Sequence, residues 1–176
     1  MYSIRKSIDI DFSHHIRGHQ GACINVHGHT WKFEVGVAAS ELDNEGFVAD
    51  FGLLKAKVLM PCHALLDHGL ALGDVMYTRI ESQLEAMGTH LLATREEVHG
   101  AFESLEPVVV ELAGARNAYP GGMKIAIFDF SPTSERLARW LYELASSVLN
   151  DERVHVEYAR IYETLHPVES VAEYRP

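Results

Sequence analysis

At 176 residues, with 47% hydrophobic and 23% charged residues, the chain is long enough to bury a core as one domain, 1–176, without disulfide or metal staples. A formal net charge of -10 argues against a nucleic-acid binder, which would more often be basic, and still allows a local pocket for a phosphorylated small molecule. Two cysteines, Cys23 and Cys62, make no disulfide framework; the start "MYSIRKSIDIDF" lacks a signal-peptide core and no run spans a membrane, so the reading is a cytoplasmic protein with no membrane partner. Histidine is the unusual residue: of 11 in the chain, five fall between His14 and His29.

Residues 2 to 14 read as a strand, with Ile4, Ile8, Ile10 and Phe12 on one parity and Ser7, Asp9, Asp11 and Ser13 on the other. His14 shares the apolar parity and His15 the polar one. After a loop with Gly18 and Gly21, a second strand runs from about Val26 to Ala38, with Trp31, Phe33, Val35 and Val37 on its buried face and His27 and His29 at the start of that face. Asp50 is a candidate helix cap ahead of Phe51, Leu54, Val58, Cys62, Leu65 and Leu66, and Pro61 is expected to kink or split that helix. Between Leu72 and Phe130 the pattern gives a helix through Ile80, Leu84, Met87 and Leu91, a shorter one through Val98, Phe102 and Leu105, a loop "ARNAYPGG" and a strand "MKIAIFDF". A helix capped by Ser131 or Thr133 carries Leu137, Trp140, Leu141, Leu144 and Val148 on one stripe, followed by the strand "VHVEYARIYET" and a hairpin partner in "ESVAEYRP". This order is α+β, an antiparallel sheet with helices packed on one face.

Two imidazoles on one strand face and a third at the end of its neighbour's make a three-histidine metal site with one position open. Imidazole nitrogens suit zinc, copper, iron or nickel, and zinc (Zn2+) is chosen partly for its commonness in such sites. Strand parity selects His14 over His15 as the third ligand. The plain alternative for an isolated H-G-H is a pair of core-edge or exposed histidines. For Cys62, on an apolar helix stripe, the plain reading of a small buried hydrophobe fits.

The segments "DFSHHI", "CINVHGHTW", "GFVADFGLLK", "LLDHGL", "PTSERLARWLY" and "IYET" occur in the order found in the 6-pyruvoyltetrahydropterin synthase and 6-carboxytetrahydropterin synthase family, which the chain resembles over residues 1 to 70 and 130 to 165. The resemblance implies a tunnelling-type fold (T-fold) whose barrel forms by oligomerisation, as a homo-oligomeric trimer or hexamer. It implies zinc on His14, His27 and His29, and Cys23, Asp67 and His68 as the proton-moving set. Cys23 stands in the loop before the metal strand, where a thiol can be activated; "DH" at a helix end is otherwise more often capping and solvated surface. Glu163 is implied as the anchor of a pterin ring, and Thr133 and Glu135, whose local role is helix capping, lie with it on the substrate side. The step from Cys23 to His27 resembles the 6-carboxytetrahydropterin branch, a lyase of queuosine precursor synthesis acting on 7,8-dihydroneopterin triphosphate, a small-molecule partner. A 6-pyruvoyltetrahydropterin synthase-type enzyme on a related pterin, or a zinc- or pterin-binding module without turnover, are the alternatives. Three departures bear on substrate choice: an insertion at about 72–130, expected as helical decoration, Ala71 and Leu72 in place of a leucine-asparagine, and His15 where an arginine is common.

Overall fold

The computed structural model describes residues 1–91 and 107–176. Strands β1 (Tyr2–His14) and β2 (His27–Ala39) pair antiparallel over their full length, with Ile10 opposite Trp31, Phe12 opposite His29 and His14 opposite His27. β2 also pairs antiparallel with β7 (Val154–Thr164), and β7 with β8 (Ser170–Tyr174). A bulge at Gly36/Val37 lets Tyr158 lie against Gly36, where a Cβ would collide with its ring.

One face of this antiparallel unit is apolar because the parity expected of β1 and β2 holds: Ile10, Phe12, Trp31, Phe33, Val35 and Val37 are all buried. Against it pack a helical run and α4 (Ser134–Leu149), the latter capped by Thr133, whose hydroxyl accepts from the Arg136 N–H at 3.4 Å. The helical run is α1 (Phe51–Leu54), a π-helical stretch Lys55–Leu59 and α2 (Met60–Leu66), started by the Asp50 carboxylate accepting from the Gly52 N–H. Pro61 therefore does not split the helix. The wider turn just before it takes up the missing donor and the ring's bulk, and the run continues to Leu66.

The middle of the chain departs from helical decoration. After α2 comes β3 (Leu70–Gly73), parallel to the end of β1 at Ser13 and His14, then α3 (Asp74–Leu91), β4 (Glu111–Leu112), β5 (Ala115–Ala118) and β6 (Ile125–Phe128). The result is one open eight-stranded mixed sheet in the order β4-β5-β6-β3-β1-β2-β7-β8. The expected helix through Val98, Phe102 and Leu105 lies outside the described residues. Strand alternation splits β3 and β6 between two cores: Ala71, Ala126 and Phe128 join the main one, while Leu72, Ile125 and Ile127 face Tyr77 and Leu84 of α3. So α3 covers the opposite face of the extension, a layer that a one-faced helical cover does not include.

α3 meets the 3-10 turn Pro120–Gly122 by backbone contact. Gly121 sits at φ 56° with the place of its Cβ against the Glu85 carbonyl oxygen, and a Cβ at Gly88 would come 2.6 Å from the Gly121 carbonyl. Gly121→Ala should cost about 2–5 kcal/mol, a left-handed backbone plus a backbone clash. Gly46→Ala, at φ 87° with open space around it, should cost only about 1–2 kcal/mol. Urea unfolding midpoints compare the two, and equal losses would remove the packing argument.

Candidate metal centre

The register of β1 on β2 brings the rings of His14, His27 and His29 together, with centroids 4.5 to 5.7 Å apart. Trp31 forms the floor. It stacks on Phe12 at 4.7 Å, meets His14 and His29 edge to face at 4.9 and 5.3 Å, and donates its indole N–H to the Phe12 carbonyl at 3.1 Å.

Two backbone carbonyls fix the imidazole tautomers. His14 Nδ1 lies 3.0 Å from the Pro132 oxygen and His27 Nδ1 lies 2.9 Å from the Asn25 oxygen. A carbonyl only accepts, so both Nδ1 atoms carry their protons and both Nε2 atoms present lone pairs. Those two Nε2 atoms face one another at 3.1 Å. Lone pairs at that distance repel unless a cation stands between them. His29 Nε2 is buried with no hydrogen-bond partner among the described residues, and burial lowers the pKa of both His14 and His29, keeping them neutral. β7 adds a carboxylate on the same face: Ile161 lies opposite Phe33, and two residues on, Glu163 Oε1 stands 3.6 Å from His29 Nε2 and 3.7 Å from His14 Nε2. Ligand atoms of His14, His27, His29 and Glu163 all lie within 4.8 Å of one another. Tetrahedral bonds of about 2.0–2.1 Å imply ligand separations of about 3.3 Å, so the three imidazoles fit a small divalent ion, with the Glu163 carboxylate beside them. His15 instead bonds the Ile24 carbonyl through Nδ1 at 2.7 Å and is not in the group.

The other candidate residues are not members of this group. Cys23 lies half-buried in the 3-10 turn Ala22–Ile24, whose carbonyl at Cys23 accepts from the Ile16 N–H at 3.0 Å. Cys62 is wholly buried in the core, and burial pushes its thiol far above its usual range. Asp67 and His68 form the corner between α2 and β3. His68 has φ 57°, donates its backbone N–H to the Asp11 carbonyl at 2.8 Å, and its Nδ1 lies 2.9 Å from Asp67 Oδ2. Burial acts to raise the Asp67 pKa, but the bond from His68 and the charge of His63, 3.7 Å away, leave it below the usual carboxylate value. Thr133 caps α4 and the exposed Glu135 lies in its first turn, where a carboxylate favours the helix dipole; neither joins the imidazole group.

Four supports of the site are not marked as such by the sequence pattern. The Pro132 carbonyl that orients His14 is a backbone group. Trp31 reads from its parity only as a buried strand residue. His63 and Lys124, both in contact with Asp67, belong to no motif at all.

The family model described as "6-pyruvoyl tetrahydropterin synthase" matches residues 3–176. The chain is 39% identical over 72 residues to the 6-carboxy-5,6,7,8-tetrahydropterin synthase of Rickettsia typhi, a match covering 41% of this chain and 52% of that one. It is 40% identical over 70 residues to the enzyme of the same name from Bacillus subtilis, covering 39% and 45%, so the chain spans about half the length of these curated relatives. The protein of that name from Haemophilus influenzae is 23% identical over 167 residues, covering 93% and 94%. Among solved structures, the uncharacterized protein WS1659 from Wolinella succinogenes superposes with a TM-score of 0.64 at 22% identity, over 99% of this chain and 97% of that one. The Caenorhabditis elegans 6-pyruvoyl tetrahydropterin synthase does so with 0.55 at 14%, over 99% and 95%. The fold is accordingly the α+β T-fold of these proteins, and the chain belongs to the 6-pyruvoyl tetrahydropterin synthase family.

Proposed function

We propose that this protein is a zinc-dependent 6-carboxy-5,6,7,8-tetrahydropterin synthase, a lyase that converts 7,8-dihydroneopterin triphosphate with loss of acetaldehyde and triphosphate. The observation that carries the reading is the pair of Nε2 lone pairs 3.1 Å apart beside the unpartnered, buried Nε2 of His29. That arrangement calls for a cation, and it lies in a chain matching a pterin-synthase family from end to end.

His14, His27 and His29 would hold the metal, which when bound supplies Lewis-acid stabilisation to the oxygens of the substrate side chain. Glu163 accepts from the amino group and ring N–H of the pterin, matching an acceptor-only carboxylate to a donor-rich ring edge. Its place at the edge of the imidazole group means that a ring seated on it carries its side chain to the metal. Phe12 and Trp31 keep the floor dry, which strengthens every polar contact above it. Cys23 carries a proton on the loop before β2, and Asp67 orients His68 through Nδ1 so that the imidazole moves a second one. The opposite face of the β1-β2-β7-β8 unit carries Arg5, Glu34, Tyr158 and Arg160. Further copies of the chain closing a barrel over this face, in a trimer or hexamer, would cover both it and the edge at β8. No helix among the described residues is long and apolar enough to cross a membrane, which fits a small-molecule enzyme.

Incubating the zinc-loaded protein with 7,8-dihydroneopterin triphosphate should yield 6-carboxytetrahydropterin by mass spectrometry. A 6-pyruvoyl product would redirect the reading within the family, and binding without product would leave a pterin-binding module. Cys23→Ala should keep stoichiometric zinc and lose about 100-fold or more in turnover; full activity would return Cys23 to loop packing. His27→Ala should lose zinc and activity together, read by elemental analysis. Glu163→Ala should retain zinc while weakening pterin binding, read by titration calorimetry. Sedimentation at micromolar concentration should give a trimer or hexamer, and a monodisperse monomer would count against the assembly.

A further inference from the structure

The corner Asp67–His68–Gly69 is held in a conformation that it would not keep alone. His68 is the one non-glycine residue with positive φ among the described residues, a left-handed backbone that is unfavourable for any residue bearing a side chain. The corner survives because main-chain bonds fasten it: His68 N–H to the Asp11 carbonyl at 2.8 Å, Gly69 N–H to the Leu66 carbonyl at 2.8 Å, and Ser13 N–H to the Gly69 carbonyl at 3.0 Å. These would form with almost any sequence. One side chain adds to them. Lys124, just ahead of β6 in the insertion, donates from Nζ to the Asp67 carbonyl at 2.9 Å, while its own carbonyl accepts from the Leu70 N–H at 3.1 Å. Its stem lies along Gly69, where a Cβ would stand 3.5 Å from Lys124 Cγ and 2.8 Å from the Leu66 carbonyl.

Lys124 has no carboxylate within 4 Å among the described residues, although the chain carries an excess of acids. A partly buried ammonium without an ion pair is costly to retain unless a strong acceptor meets it. Here the acceptor is a carbonyl at the C-terminal end of the helical run from Phe51 to Leu66, where the helix dipole favours a cation. Burial lowers the pKa of Lys124, against the charge of Asp67, which raises it.

We infer that Lys124 is a positioning residue of the insertion, clamping the Asp67 backbone so that the Asp67 carboxylate and the His68 ring stay in register. This rests on the proton-moving role proposed above for that pair. The sheet extension thereby acquires a role at the site, since β3 and β6 bring a lysine to the corner that leads directly into β3, whose residues Leu70 and Ala71 pair with the end of β1. His63 approaches the same Asp67 oxygen from α2, four residues earlier and at 3.7 Å, so the carboxylate has an alternative partner whenever the corner loosens. Without the clamp, Asp67 is free to turn from His68 toward His63.

Lys124→Met keeps the stem and removes the ammonium; Lys124→Arg restores a donor. In the zinc-loaded protein, nitrogen-15 NMR of His68 should report one fixed Nδ1-bound proton in the wild type and mixed tautomers in Lys124→Met, with zinc content unchanged. With the confirmed substrate, kcat should fall about 10-fold or more with KM nearly constant, and Lys124→Arg should recover most of the loss. A Lys124→Met protein with lowered melting temperature but unchanged His68 tautomer and unchanged kcat would overturn the inference and leave Lys124 as packing. If the wild type turns over no pterin, the function proposed above fails, and the His68 NMR signature still decides whether the clamp exists.

Discussion

The Nε2 atoms of His14 and His27 face each other with no proton between them, beside the unpartnered Nε2 of His29, and the rest of the site is arranged around that fact. Two of the rings are committed by backbone carbonyls to carry hydrogen on the outer nitrogen, so the inner nitrogens of His14 and His27 confront each other as acceptors at 3.1 Å. Trp31 and Phe12 pack below them as a buried apolar floor. A cation is the natural resolution, and the Glu163 carboxylate at the edge of the group adds to the field that attracts one.

The same carbonyl that sets His14 ties the metal strand to the rest of the protein. Pro132 belongs to the segment linking β6 to α4, so the position of a metal ligand on β1 depends on an element 118 residues later in the chain. β3 reinforces this from the other side by pairing with Ser13 and His14. A sheet extension at this edge is therefore mechanically connected to the centre. Ala71 and Leu72 fit the strand that follows the Asp67–His68 corner: Ala71 is buried in the main core and Leu72 in the core under α3.

The polar face of the β1-β2-β7-β8 unit obeys a different logic. Glu34 is buried there only because the Tyr158 hydroxyl and the Arg160 guanidinium satisfy it, at 3.2 and 3.1 Å. A charged, ordered network on an otherwise uncovered sheet face is suited to meeting other polar surfaces, whereas the apolar face is already consumed by the helices within one chain.

Much of the fold was legible because period-two alternation is a direct record of which side of a strand meets water. β1, β2 and β7 follow from Ile8-Ile10-Phe12, Trp31-Phe33-Val35 and Val154-Val156, and the same alternation, continued to the strand ends, places His14, His27 and His29 on one face. The helix cap at Asp50, and the second cap narrowed to Ser131 or Thr133, were readable for a similar reason, since capping is local chemistry. What the sequence could not decide was pairing between distant segments. β3 has only four residues and β4 only two, too short to show a period, and both exist because neighbours supply their hydrogen bonds; hence an insertion expected as helical decoration contributes β4, β5, β6 and the end of β3 to the eight-stranded sheet. Pro61 broke no helix because a π-helical turn, invisible in composition, accommodated it. Side chains announce their chemistry in sequence, but backbone carbonyls are identical at every residue, so the groups that fix the tautomer of His14 and the turn at His68 become known only when the tertiary structure brings Pro132 and Asp11 to them.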